Sequence, residues 1–170
     1  PCGEIPLCPY DSCRLLALNL LSYVDNPFKK GAKFNFDKFR SHVAMAMRMM
    51  DDIIDLELEK VEQIIEKIAA DPEDEDVRRV ELELWKKIRE MAQKGRRTGL
   101  GITAEGDMLA ALGLRYGTQE AIDFAVEVQK TLALAAYGAS VKLAAERGAF
   151  PIYDAAKEAN NPMIARIREA

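Results

Sequence analysis

The chain has 170 residues, 49% of them hydrophobic and 31% charged, enough for one ordinary core and therefore one compact domain. A net charge of -4, with acids and bases alternating along helical faces, excludes a nucleic-acid surface. No stretch approaches the ~20 uncharged apolar residues that span a bilayer, no signal peptide is visible, and three cysteines make no secreted disulfide framework, so a cytoplasmic protein off the membrane is expected.

The first 35 residues are mixed. Pro1, Pro6, Pro9 and Pro27 prevent a long helix, while the apolar run from Cys13 to Val24 reads equally as buried strand or helix. Asp25-Asn26-Pro27 is a turn and Lys29-Lys30-Gly31 a loop. From Asp37 the spacing is helical: Phe36, Phe39, Val43, Met47, Met50, Ile54, Leu58, Val61, Ile65 and Ile68 recur every three or four residues, as one helix or two with a kink near Asp55. Asp71 as N-cap with Pro72 in the first turn predicts a second helix that buries Val77, Val80, Leu84, Ile88 and Met91 and ends at Gly95. The basic run Lys94-Gly95-Arg96-Arg97 would complement the dipole at that end.

Thr98 to Ile102 is short and Gly-rich, a strand that approaches other backbone closely. Thr103 caps a predicted helix to Leu112, stopped by Gly113, and Thr118 begins a long one to Arg147, stopped by Gly148. Beyond Thr131 that helix is apolar on nearly every side and expects neighbours all round. Short helices over 153–159 and 163–169 complete the chain. Helix should therefore cover about two thirds of the residues, twice the usual share. The one or two strands need a sheet completed elsewhere, because a lone two-stranded sheet is rarely stable.

Chemistry concentrates near the start. Cys2 and Glu4 flank Gly3, which permits tight backbone geometry, and Cys13 follows nine residues later. A sulfur beside a carboxylate suits removal of a proton or hydrogen atom from a small substrate, although no histidine or cation lies near enough in sequence to lower the thiol's pKa. A metal site from Cys2, Cys8, Cys13 and His42 lacks any C-x-x-C pair, and no metal is expected. His42 reads as a core or boundary residue. Gly99-Leu-Gly101 lacks the fuller glycine spacing and the lysine of a phosphate loop. The methionines at 45, 47, 49 and 50 read as adaptable core packing.

Pro1-Cys-Gly-Glu-Ile-Pro-Leu7 resembles the active-site loop of ribonucleotide reductase large subunits, in the form of the adenosylcobalamin-dependent (class II) branch. Asp11-Ser-Cys-Arg-Leu-Leu-Ala-Leu-Asn-Leu20 resembles that family's second cysteine segment. Thr98 to Ile102 with Gly106-Asp-Met-Leu109 resembles its Gly-Leu-Gly strand and following helix, and Glu146-Arg-Gly-Ala-Phe-Pro151 its Glu-Arg-Gly-x-Phe-Pro turn. The likeness is weakest over about 56–95, which would be a helical insertion. The resemblance implies a mainly α fragment with a few short strands, residues 1–170 forming an internal part of the family's ten-stranded α/β barrel.

By the same resemblance Cys2 would carry a thiyl radical that removes the 3′-hydrogen of a ribonucleotide. Glu4 would be the base towards the 3′-hydroxyl, and Cys13 one of two thiols that reduce the substrate. Implied with these are adenosylcobalamin, through residues the resemblance does not identify, a ribonucleoside di- or triphosphate, an external dithiol reductant such as a thioredoxin-like protein, and a homodimer. The family's Asn before the Pro, the partner thiol of Cys13 and the Pro-Thr-Gly phosphate loop have no counterpart here, so this stretch alone should not turn over. Cys8 has no family role. Two rivals remain: a non-catalytic helical assembly module, with Cys2 and Glu4 turned to solvent, and a small thiol-redox protein, with Cys2 and Cys13 close enough to pair.

Overall fold

The computed structural model describes residues 7–169. The apolar run after Cys13 resolves into both alternatives. Strand β1 (Arg14–Asn19) leads into a single 3-10 turn over Leu20–Tyr23, where Asn19 Oδ1 accepts the Leu21 N–H at 3.1 Å. The chain then forms a small antiparallel pair, β2 (Val24–Asp25) with β3 (Lys33–Phe34). The predicted turn and loop connect them, and the Phe28 N–H donates to the Ala111 carbonyl at 2.8 Å.

Asn35 caps α1 (Phe36–Ala69), its Oδ1 accepting from Lys38 N at 3.0 Å. The helix is continuous past Asp55, as expected of a segment with no proline or glycine to break it. Phe39, Val43, Ala46, Met50, Ile54, Val61, Ile65 and Ile68 form its buried stripe. Met45 and Met49 are more than half exposed, so of the methionine group Met50 alone belongs to the core.

Helix α2 (Glu75–Gly95) departs from expectation at three points. Its N-cap is Asp74, not Asp71. The Asp71 N–H donates to Ile68 at the end of α1 and its carbonyl accepts from Arg78, so that residue closes one helix instead of opening the next. Val77, Val80 and Leu84 are exposed, and burial is confined to Ala92 and Gly95, because α2 packs along one flank of α1 and nothing described covers its other side. Gly95 is the last helical residue. Arg96 takes the left-handed turn beyond it at φ +42°, a cost of about 1 kcal/mol for a residue with a Cβ.

Strand β4 (Thr98–Thr103) lies parallel to β1 in the register Arg14↔Thr98 through Asn19↔Thr103. Parallel neighbours need a long crossover, supplied here by α1 and α2. Leu16 and Leu18 turn towards α1, whereas Leu15 on the opposite face is 72% exposed. Helix α3 (Glu105–Leu112) begins after Ala104 at φ +61° with no side-chain cap, so Thr103 does not play the capping part predicted for it. Thr118 does cap α4 (Gln119–Arg147), Oγ1 accepting from Ala121 N, and Gly148 ends it. Leu132, Ala139 and Leu143 are buried on α4, but Val141 is 70% exposed, so α4 is covered on one side only among the described residues. Two short helices, α5 (Ala155–Glu158) and α6 (Pro162–Glu169), follow; α5 is shorter than predicted, with Asp154 as its cap.

The main core gathers Leu20, Tyr23, Val24, Phe34, Phe39, Val43, Met108, Leu109 and Val128, joining the 3-10 turn, β3, α1, α3 and α4. Among the described residues the chain is thus mainly helical, with two separate two-stranded sheets and no closed barrel. No described helix is long and apolar enough to cross a membrane.

Candidate functional site

Cys2 and Glu4 lie outside the described residues; Cys13 lies within them. It stands just before β1, half-buried, its Sγ 3.8 Å from the Arg14 carbonyl. Across the register, Gly99 leaves room for that sulfur. A Cβ at Gly99 would fall 3.0 Å from Cys13 Sγ and 2.6 Å from Leu15 Cδ2. The Gly-rich strand therefore does lie close against its neighbour, but what Gly99 makes room for is side chain before backbone: Leu15 first, the Cys13 thiol next, and the Arg14 carbonyl at 3.7 Å. Cys8 is exposed.

Two arginines fix the backbone on either side of Cys13. Arg14 is buried against α1, with Nε 2.5 Å from Glu57 Oε2 and Nη1 donating to the Ser12 carbonyl at 3.0 Å. Arg97, at the entry to β4, donates through Nε to a fully buried Asp11 carboxylate and through Nη2 to Cys8 Sγ at 3.7 Å. Its hydrogen bond to Asp11 outweighs the effect of partial burial and raises the guanidinium above its ordinary value, so it is a permanent cation. Asp11 Oδ1 also accepts the Ser12 N–H at 2.9 Å.

A second ionic hub joins α1, α2 and α4. Arg96 donates from Nε to Asp51 and from Nη1 to Asp55, both at 2.7 Å, and from Nη2 to the Asp51 carbonyl at 3.0 Å. Arg147 reaches Asp51 and Asp52, and Arg48 reaches Glu146. These bonds to α1 offset the left-handed backbone of Arg96. The carboxylates of Asp51, Asp52 and Asp55 lie within 4.8 Å of one another, but the two guanidiniums occupy them, so the cluster is an ion-pair hub. The basic run at the end of α2 thus splits: Lys94 pairs with Glu90 within its helix, while Arg96 and Arg97 tie distant segments together.

Burial pushes the Asp51 carboxyl up, but the hydrogen bonds and charges of Arg96 and Arg147 outweigh it and hold Asp51 below the usual carboxylate range. A depressed carboxylate contributes stability in full above its unfolded pKa of ~3.9, and loses it as pH falls through the folded value. Asp51→Asn should therefore cost ~1–2 kcal/mol at neutral pH, and its gap from the wild type should close in acid. Denaturant titrations at neutral and acid pH check this; a gap that stays constant would refute it.

The remaining candidates have structural roles. His42 Nδ1 lies 3.3 Å from the Tyr23 hydroxyl at the core boundary. Gly99 and Gly101 belong to a paired strand, and the next helix opens with Glu105 and Asp107, which would repel a phosphate. Read from sequence, Asp11 and the Asp51 hub had no role, and Arg97 had only a place in the basic run at the end of the second helix. The repeated acids Asp51-Asp52-x-x-Asp55 facing a basic run are the one signal that could have revealed the hub.

The sequence matches the family model described as "Ribonucleotide reductase, barrel domain" over residues 1–166. It is 36% identical over 153 residues to a vitamin B12-dependent ribonucleoside-diphosphate reductase of Thermoplasma acidophilum, covering 90% of this chain and 16% of that protein. A reductase of the same description from Mycobacterium tuberculosis is 31% identical over 153 residues, covering 90% of this chain and 18% of that one. A ribonucleoside-diphosphate reductase subunit alpha of Chlamydia pneumoniae is 27% identical over 145 residues, covering 85% and 11%. The chain spans less than a fifth of the length of these curated relatives.

Proposed function

We propose, since this chain belongs to the ribonucleotide reductase barrel-domain family, that the protein carrying it reduces ribonucleotides to deoxyribonucleotides by a thiyl-radical mechanism. The observation that carries the reading is the thiol of Cys13 seated against Gly99, in a segment joined directly to Pro1-Cys-Gly-Glu4. The names of the similar reductases favour a ribonucleoside diphosphate as substrate and cobalamin as cofactor.

In this reading the Cys2 thiyl takes the 3′-hydrogen atom and Glu4 accepts the 3′-hydroxyl proton. The 2′-hydroxyl leaves as water with a proton from the reducing thiol pair, and Cys2 returns the hydrogen atom to C3′ at the end of the turnover. Cys13 and a partner thiol then supply two electrons and end as a disulfide, which an external dithiol reduces again. Cobalamin, in its adenosyl form, would supply the initial radical. The described residues do not fit it. A cleft of about 660 Å³ between α4 and α6 is lined by residues such as Leu134 and Met163, and a smaller one by charged residues of α2; neither includes Cys13 or any strand residue. The second half of α1 together with α2, about 56–95, forms a helical hairpin that we read as an insertion on the barrel.

The test is deoxyribonucleotide formation by the complete protein with ribonucleoside diphosphate, adenosylcobalamin and dithiol. Cys2→Ala should abolish product while the protein stays folded, and the 170-residue chain alone should give none. Retained product with Cys2→Ala would sink the assignment. An assembly module or a simple thiol-redox protein would form no deoxyribonucleotide at all.

A further inference from the structure

We infer that Arg97 is a positioning residue for the Cys13 thiol, acting through Asp11. The inference rests on the reading of Cys13 as a reducing thiol. Asp11 is two residues before Cys13 and its side chain is fully buried, so its charge needs a fixed counter-ion; Arg97 is the one cation paired with it among the described residues. The same guanidinium reaches Cys8, three residues before Asp11. One side chain thereby holds both ends of the 8–11 segment against the entry to β4.

The Arg97 backbone takes part as well. Its carbonyl accepts the Arg14 N–H at 3.5 Å, one step before the β1–β4 ladder begins. Cys13 is therefore bracketed. On one side is the Asp11 carboxylate, on the other the Arg14–Arg97 backbone bond, and opposite it lies Gly99, two residues beyond Arg97, where the sulfur has its space. Arg96 adds rigidity, because its own side chain is locked to Asp51 and Asp55 on α1. Adjacent arginines thus point to different elements: one anchors the turn to the helix, the other anchors the cysteine segment to the turn.

The geometry also says what a substitute must provide. A lysine keeps the charge beside Asp11 but cannot reach Asp11 and Cys8 together with a planar fork. Methionine fills similar volume and leaves the Asp11 charge buried without its partner.

The experiment uses the complete reductase with Arg97→Met, Arg97→Lys and Asp11→Asn. It reads kcat and KM for the ribonucleoside diphosphate at saturating dithiol, and the rate at which iodoacetamide alkylates Cys13, by peptide mass spectrometry without cofactor. Arg97→Met should lower kcat by ~10–100-fold through misplacement of the thiol, leave KM for the nucleotide unchanged, and speed alkylation of Cys13 as it leaves its seat. Arg97→Lys should recover much of both. A folded Arg97→Met with unchanged Cys13 alkylation overturns the inference whatever its turnover, as does a failure of Arg97→Lys to recover either readout. Where Arg97→Met does not fold, Asp11→Asn carries the same comparison. Full turnover by Cys13→Ser would instead defeat the reading of Cys13 as a reductant, and the alkylation rates would still decide whether Arg97 seats it.

Discussion

Cys13→Ser in the complete reductase is expected to lower sustained deoxyribonucleotide formation by ~10³-fold or more, since a group that acts as one of a unit is lost whole. A hydroxyl can fill the place of the sulfur, but it cannot close a disulfide, so the two electrons needed to complete the reduction are missing. The fold should not notice. The site is half-buried, the space above Gly99 accepts a smaller atom, and the backbone is held by Arg14 and Arg97 independently of the thiol. Stability should stay within ~0.5 kcal/mol of the wild type. Product assays under repeated turnover, with a denaturation curve on the same preparation, check both halves. A folded Cys13→Ser enzyme that turns over normally would remove Cys13 from the reaction. The contrast with Cys2→Ala separates the two thiols: loss of the radical site also prevents removal of the 3′-hydrogen, a step that Cys13→Ser leaves intact.

Phe39→Ala should be the most damaging single truncation in the described core, at ~3–5 kcal/mol. Phe39 is fully buried and sits between Tyr23, 4.9 Å away ring to ring, and Phe34 at 5.4 Å, both in edge-on contact. Phe34 in turn meets Phe36 at 4.9 Å and Phe124 at 6.0 Å. Removing one ring leaves a cavity at the point where the 3-10 turn, β3, α1 and α4 converge, and rigid neighbours cannot collapse into it. Phe28→Ala is the matched control. That ring is 68% exposed, so its loss should cost no more than ~0.5 kcal/mol. Urea titrations compare the pair, and a Phe39→Ala cost below that of the control would refute the packing account.

Much of the architecture was legible from local signals, because those signals act over a single helical turn or strand repeat. The stripe from Phe39 to Ile68, the cap at Thr118 and the strand at 98–103 are all set by residues next to one another in sequence. Expectation failed where two local solutions compete. Asp71 and Asp74 are both acceptable caps, and the bonds of Asp71 to Ile68 and Arg78 decide in favour of Asp74. It failed again for burial on α2: periodicity says which face could be covered, whereas the exposure of Val77, Val80 and Leu84 depends on what lies opposite.

The residues proposed for chemistry were readable through motif and residue type, down to the thiol that the Gly-Leu-Gly strand accommodates only in three dimensions. The sequence by itself determined the helical periods, the cap at Thr118, the Gly-rich strand and the family to which the chain belongs, since each is written in neighbouring residues. Only the tertiary structure decided that Arg97 meets Asp11 across 86 positions and that Arg96 meets Asp51 across 45. Such pairs form when the parallel register of β1 with β4 and the packing of α2 on α1 bring the charges together. A charge carries no record of its partner, and burial of Asp11 makes one obligatory only once the chain has folded.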